Sequence, residues 1–80
     1  MKPVEVYSRR GCHLCEELIE ALLDKVAGRI SVVVRDVDTR ADWVRDYGTR
    51  VPVVEYDGEV ICQYHLDAGA LERLLGSISE

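Results

Sequence analysis

Two thiols three residues apart, Cys12-His13-Leu14-Cys15, stand where a strand gives way to a helix. A thiol reacts as its thiolate, and the unpaired N–H groups and dipole of a helix N-terminus favour that charge. Cys15 follows Cys12 by about one helical turn, so it can attack a mixed disulfide held on the first sulfur. In this context the spacing points to thiol–disulfide exchange. Arg9 and Arg10 lie just before the pair. Two cations there either lower the thiol pKa and hold a carboxylate, or simply solvate a turn. Glu16 and Glu17 just behind the pair oppose the shift, so moderate acidification of Cys12 is expected. His13 either donates to the Cys12 thiolate, making the pair more oxidising, or sits exposed on the first helical turn.

The surrounding pattern supplies the elements that must position these residues. Val4-Glu5-Val6-Tyr7 reads as a strand, and Ser8-Arg9-Arg10-Gly11 as a turn. From 12 to 27 the stripe Cys15, Leu18, Ile19, Leu22, Leu23 and Val26 forms one amphipathic helical face, with Gly28 as its C-terminal cap. The β-branched run at 30–34 predicts a strand covered on both faces. A short helix over 40–47 follows, with Thr39 and Asp42 as a capping pair, Trp43, Val44 and Tyr47 as its apolar face, and Gly48 as its end. Trp43 and Tyr47 read as core. Asp57-Gly58 between two β-rich runs, 53–56 and 59–62, predicts a two-residue hairpin in which Glu55 and Tyr56 mark opposite faces. Asp67 caps a last helix bearing Leu71, Leu74, Leu75 and Ile78. The order β-α-β-α-β-β-α implies a parallel first pair with a right-handed crossover, completed by the hairpin into a mixed four-stranded sheet. The thiols then fall at the C-terminal end of the first strand.

Size and composition bound the rest. The chain has 80 residues, 48% hydrophobic and 31% charged, which suits a single domain over 1–80. No apolar run approaches the roughly 18–20 residues of a membrane span. Met1-Lys2-Pro3 leads straight into a strand, so no signal peptide and a cytoplasmic location are expected. Structural disulfides are rare there, and a cysteine pair is usually catalytic or metal-binding. The net charge of −5, from 15 acidic and 10 basic residues, includes no basic stripe, so nucleic acid is not an expected partner. The third cysteine, Cys62, argues against a disulfide scaffold. It reads as a small apolar residue ending a strand, as a third redox thiol, or, with His65, as half of a zinc set completed by Cys12 and Cys15.

The segment Val6-Tyr7-Ser8-Arg9-Arg10-Gly11-Cys12-His13-Leu14-Cys15 resembles the first strand and redox loop of glutaredoxins. Arg50-Val51-Pro52 resembles their Thr-Val-Pro segment, and Asp57-Gly58 with Val60-Ile61 their terminal hairpin. The element order carries the resemblance along the whole chain. It implies an α/β, thioredoxin-like fold of glutaredoxin type. It also implies an attacking Cys12, a resolving Cys15, and a cis Pro52 facing the pair. Cis is affordable only before proline, and it would turn the Val51 backbone toward the sulfurs to pair with a strand-like substrate. Arg9 matches a basic residue that contacts the glycyl carboxylate of glutathione. Cys62-Gln63 stand where glutaredoxins carry Gly-Gly, and the stretch up to Asp67 is one residue longer.

The expected function is therefore that of a small cytosolic oxidoreductase, a monomer taking part in electron transport through a redox-active disulfide. Its partners would be a disulfide-bearing protein or a glutathione mixed disulfide and a separate reductant. Glutathione is the candidate co-substrate, and no tightly bound cofactor, metal or membrane is expected. Two other classes compete. A soft-metal (Cu or Zn) carrier also uses Cys-x-x-Cys after a first strand, though usually as Met-x-Cys-x-x-Cys in a β-α-β-β-α-β order. The third class is a catalytically idle binding module of thioredoxin fold.

Overall fold

The structure, a computed structural model, describes residues 2–78. Its elements are β1 (Val4–Ser8), α1 (His13–Val26), β2 (Val32–Asp36), a 3₁₀ turn (Val37–Thr39), α2 (Ala41–Tyr47), β3 (Val53–Tyr56), β4 (Glu59–Gln63) and α3 (Ala68–Ile78). The strands form one sheet in the order β2-β1-β3-β4. β1 and β2 are parallel, while β1–β3 and β3–β4 are antiparallel. This is the mixed sheet expected from the element order, with a 3₁₀ turn added before α2.

Side chains alternate across a strand, and the two faces are filled differently. Val4, Val6 and Val54 turn to one face, where they pack with Leu18, Leu22 and Val26 of α1 and Leu71 and Leu75 of α3. Tyr7 and Val53 turn to the other, where Val37, Trp43, Tyr47 and Val51 cover them. Trp43 and Tyr47 thus pack, partly buried, against this second core cluster. Glu55 lies on the α2 face, where Tyr47 reaches it, while Tyr56 packs on the α1/α3 core.

Several local expectations shift. The left-handed C-terminal cap of α1 is Ala27, at φ 48, and Gly28 follows at φ 78. β2 begins two residues later than the β-branched run, because Ile30 leaves the strand to enter the α1/α3 core. It is an edge strand with Val34 50% exposed, not a strand covered on both faces. Its apolar run reflects β propensity at a half-open edge. Thr39 does not cap α2. It sits inside the 3₁₀ turn and donates its hydroxyl to the Asp36 carbonyl at 2.7 Å, leaving Arg40 as an N-cap without a side-chain bond. Val44 is 43% exposed, so the apolar face of α2 is narrower than its sequence suggests.

The hairpin and last helix follow their turn chemistry. Asp57 and Gly58 both take positive φ, 52 and 83, as a type I′ turn requires. The β3–β4 register slips between Val54 and Glu55, which leaves Ile61 as the extra residue of a bulge. Asp67 accepts from the Ala70 N–H at 3.0 Å, capping α3.

Two carboxylates meet on the α2 face. Glu5 and Glu55 are directly opposed across β1–β3, a like-charge arrangement that destabilises unless each is served. Tyr7 donates to Glu5 at 3.0 Å, Tyr47 donates to Glu55 at 2.7 Å, and Arg35 approaches Glu5 at 3.4 Å. The two tyrosine rings stack with centroids 4.0 Å apart. Burial, and then the bond to the carboxylate, push both hydroxyls above their ordinary pKa. Above about pH 10 the unfolded chain has lost tyrosine protons that the folded chain still holds. Stability should therefore decline as pH rises beyond that point. Urea unfolding at increasing pH should show the decline, and Tyr47→Phe should make it shallower. An unchanged slope in the variant would exclude Tyr47 as its source.

Candidate active site

β1 delivers the chain to the site. After Ser8 the backbone turns, with the Cys12 N–H donating to the Arg9 carbonyl at 3.2 Å. Gly11 sits in that turn at φ 72, a left-handed position that suits glycine. Cys12 then becomes the N-cap of α1 instead of its first residue. Its sulfur accepts from the Cys15 N–H at 3.1 Å, and its carbonyl accepts from the Glu16 N–H at 3.1 Å. Cys12 and Cys15 form a disulfide, with Cα atoms 5.2 Å apart. Cys15 is 1% exposed and Cys12 only half-buried, so Cys12 presents the outer sulfur.

The antiparallel register brings the second half of the site to the same end of the sheet. Tyr7 pairs with Val53, so the start of β3 lies beside the end of β1. Just ahead of it, the Val51–Pro52 peptide bond is cis, as the glutaredoxin resemblance implied. Pro52 is buried, and Val51 packs against the cluster of Tyr7, Val37 and Val53. The Pro52 carbonyl accepts from the Tyr64 N–H at 2.8 Å, which joins the end of β4 to this segment.

The flanking residues are distributed differently from the pattern their spacing suggests. Arg9 binds Asp38 with two nitrogens, each at 3.0 Å, and donates a third bond to the Gly48 carbonyl at 3.0 Å. The Asp38 carboxylate raises the Arg9 pKa further, first through these hydrogen bonds. Its carboxylate partner thus comes from its own chain. Arg10 is exposed and, among the described residues, makes no ion pair or hydrogen bond. It borders an open concavity with Gly11, Val34 and Asp36. The His13 side chain is 85% exposed and lies 3.6 Å from both Glu16 and Glu17. It follows the acids of its own helix and makes no hydrogen bond to either sulfur.

Cys62 faces Val54 across β3–β4 and packs at the margin of the α1/α3 core. Burial pushes its thiol pKa up, which suits an inert side chain more than a redox thiol. Among the described residues no three His, Cys, Asp or Glu side chains gather as a metal set. The Arg9–Asp38 clamp and the Tyr64–Pro52 bond had no sequence signal, because each joins residues with no local spacing relation. The clamp makes a test possible. Arg9→Ala and Asp38→Ala should each lower the unfolding midpoint. The double variant should lose little more than the worse single one, whereas additive losses would show that the two do not act as a pair.

Comparisons with known proteins agree with this geometry. The family model described as Glutaredoxin-like domain (DUF836) matches residues 3–76. A structural-genomics target protein from X. campestris is 32% identical, with a TM-score of 0.75 over 92% of this chain and 96% of that one. The protein Ne2328 from Nitrosomonas europaea, solved in solution by NMR, is also 32% identical, with a TM-score of 0.77 over 91% and 89% of the two chains. Oxidised glutaredoxin 2 from Chlamydomonas reinhardtii is 29% identical, with a TM-score of 0.62 over 95% and 81%. No curated protein sequence matches the chain. A Cys-x-x-Cys at the mouth of the first helix, a cis-proline segment at the same sheet end and these matches lead to one assignment: the chain belongs to the glutaredoxin-like family and has the thioredoxin-like fold.

Proposed function

We propose that this protein is a thiol–disulfide oxidoreductase in which Cys12 attacks and Cys15 resolves. The observation that carries the reading is the asymmetric pair itself, an outer Cys12 sulfur at the helix N-terminus bonded to a buried Cys15. In the reduced protein, the Cys12 thiolate attacks a substrate disulfide, and the first substrate sulfur leaves and takes a proton. Cys15 then gives up its proton and attacks the Cys12 sulfur, and the second substrate sulfur leaves and is protonated. Two electrons and two protons pass to the substrate, which ends as two thiols while the pair ends as the Cys12–Cys15 disulfide. Two thiols of an external reductant, from a low-molecular-weight thiol or a dithiol protein, reverse the sequence and become a disulfide themselves.

The remaining residues support these steps. The Cys15 N–H and the N-terminus of α1 stabilise negative charge on the Cys12 sulfur. The Val51 backbone, set by the cis bond to Pro52, is the edge with which an extended substrate segment pairs. Arg9 holds the redox turn to Asp38 and Gly48, and so acts as a positioning residue. His13 and Arg10 set the charge at the rim. The working compartment in this reading is the cytoplasm, with the chain acting as a single-domain monomer. Glutathione enters as one thiol able to drive the return step.

A redox titration of the metal-free protein tests the reading, with free thiols trapped by an alkylating agent and weighed by mass spectrometry. One reversible two-electron step mapped to Cys12–Cys15 is expected, with Cys62 alkylated throughout. Thiols that stay reduced across the cytosolic range of potentials would overturn it.

A further inference from the structure

Beside the cysteine pair runs a small apolar groove. Leu14, Leu18 and Ala21 of α1 form one wall, and Tyr64, His65 and Leu66 form the other. Each wall has one residue that adjoins the redox site in the chain or by a hydrogen bond. Leu14 lies between the two cysteines. Tyr64, held at a left-handed φ of 69, donates its N–H to the Pro52 carbonyl and its hydroxyl to the Thr49 carbonyl. Its volume of about 120 Å³ is well below the roughly 300–1,000 Å³ of a small-molecule site. It is sized for one side chain, and it meets a second concavity along α1 at Glu17 and Ala21.

The charge around the groove narrows the occupant. Glu17 lies on its rim and also borders the next concavity along α1, with Glu20 and Asp24. These three carboxylates follow one another at helical spacing on the exposed face of α1. Among the described residues, neither Glu20 nor Asp24 has a cationic partner. A chain leaving the groove along α1 therefore meets uncompensated negative charge, on a protein whose net charge is already −5. Glutathione carries two carboxylates and one ammonium, so its net negative charge meets repulsion along this acidic margin. Arg9 is neutralised by Asp38, while Arg50 donates only to neutral acceptors, the Asp46 carbonyl and the Gln63 amide, and does not line the groove. Lys25 is paired with Glu72. Arg10 has no partner among the described residues, and it borders another concavity, lined by Ser8, Arg9 and Gly11 of the redox turn with Val34 and Asp36.

We propose that the preferred substrate is a disulfide of a basic polypeptide, one apolar side chain near its cysteine entering the Leu14–Tyr64 groove and lysine or arginine residues lying along Glu17, Glu20 and Asp24. The proposal rests on the thiol–disulfide reading above and names the substrate class of that same site. Complementary charge of this kind steers encounter and rejects like-charged competitors.

Single-turnover kinetics with the pre-reduced protein test it. The substrates are 2-hydroxyethyl disulfide, glutathione disulfide, and symmetric peptide disulfides in which Leu is exchanged for Ser beside the cysteine and Lys for Glu further along. The Leu/Lys peptide should react at least about tenfold faster than its Glu counterpart and than glutathione disulfide, with an advantage that shrinks as salt rises. In the variant carrying Glu20→Lys and Asp24→Lys, both fully surface positions, the ratio of Lys-peptide to Glu-peptide rates should invert. In Tyr64→Ser the Leu-over-Ser ratio should fall towards one. Equal rates for all peptides, or glutathione disulfide as the fastest substrate, would overturn the proposal while leaving the oxidoreductase reading intact. Failure to reduce even 2-hydroxyethyl disulfide would overturn the oxidoreductase reading itself.

Discussion

Cys12→Ser should abolish disulfide exchange, with a loss expected to exceed about a thousandfold, because a hydroxyl at the helix cap supplies no nucleophile comparable to a thiolate. The substitution is mild for the fold. Serine is itself a good N-cap, and its hydroxyl can take over the bond that the Cys12 sulfur now accepts from the Cys15 N–H. Loss of activity with an unfolding midpoint equal to that of the reduced parent protein therefore isolates chemistry from stability. Cys15→Ser should behave differently. The first attack survives, the second cannot occur, and a mixed disulfide between Cys12 and substrate accumulates for detection by mass spectrometry. Full turnover in Cys12→Ser would remove it as nucleophile. Absence of a trapped adduct in Cys15→Ser would remove Cys15 as resolver. The burial difference between the two sulfurs sets the direction, since only the outer one meets an incoming disulfide.

Leu22→Ala should cost about 2–5 kcal/mol, a large share of the roughly 5–15 kcal/mol that holds a domain folded. Leu22 is 0% exposed and sits in the α1/α3 core with Val4, Val6 and Leu71. Its neighbour Leu23 is 51% exposed, and Leu23→Ala should change stability by no more than about 0.5 kcal/mol. Urea unfolding of the pair of variants measures both. Similar losses at the two positions would mean that α1 does not present the face described here. The comparison is stringent because the residues are adjacent and chemically identical, so helix propensity and composition cancel and only orientation differs.

The two leucines also mark how far the chain could be read without its fold. Both belong to the apolar stripe of α1, and helical spacing alone does not say that Leu22 enters the core while Leu23 lies at its margin. The stripe gave the helix, because periodicity is a local property repeated over several turns. Asp57-Gly58 gave the hairpin for a similar reason, since few residues adopt its two positive φ values. The cysteine spacing, the strand before it and the glycine of its turn marked the redox site, because a helix N-terminus and a one-turn separation are also local. Pro52 was placed by resemblance, and the antiparallel register then set it beside the end of β1.

Other features depended on which distant segments meet. The β-branched run of β2 pointed to a strand covered on both faces, whereas its place in the sheet made it an edge with Val34 outside. Arg9 carried a charge toward the site in sequence, yet Asp38 and Gly48 claim it in space. Thr39 looked like a cap until the 3₁₀ turn moved it. His13 lay between two sulfurs, but its exposed ring lies 3.6 Å from Glu16 and Glu17. The groove is lined by α1 on one side and by Tyr64, His65 and Leu66 on the other, and the Tyr64 N–H ties that stretch to the Pro52 carbonyl. The sequence by itself thus determined the elements, their order and the cysteine pair at the helix mouth, since propensity, turn geometry and thiol spacing act over a few residues. Tertiary structure alone decided which charges are spent and which surfaces stay open, because those depend on long-range partners that no local pattern encodes.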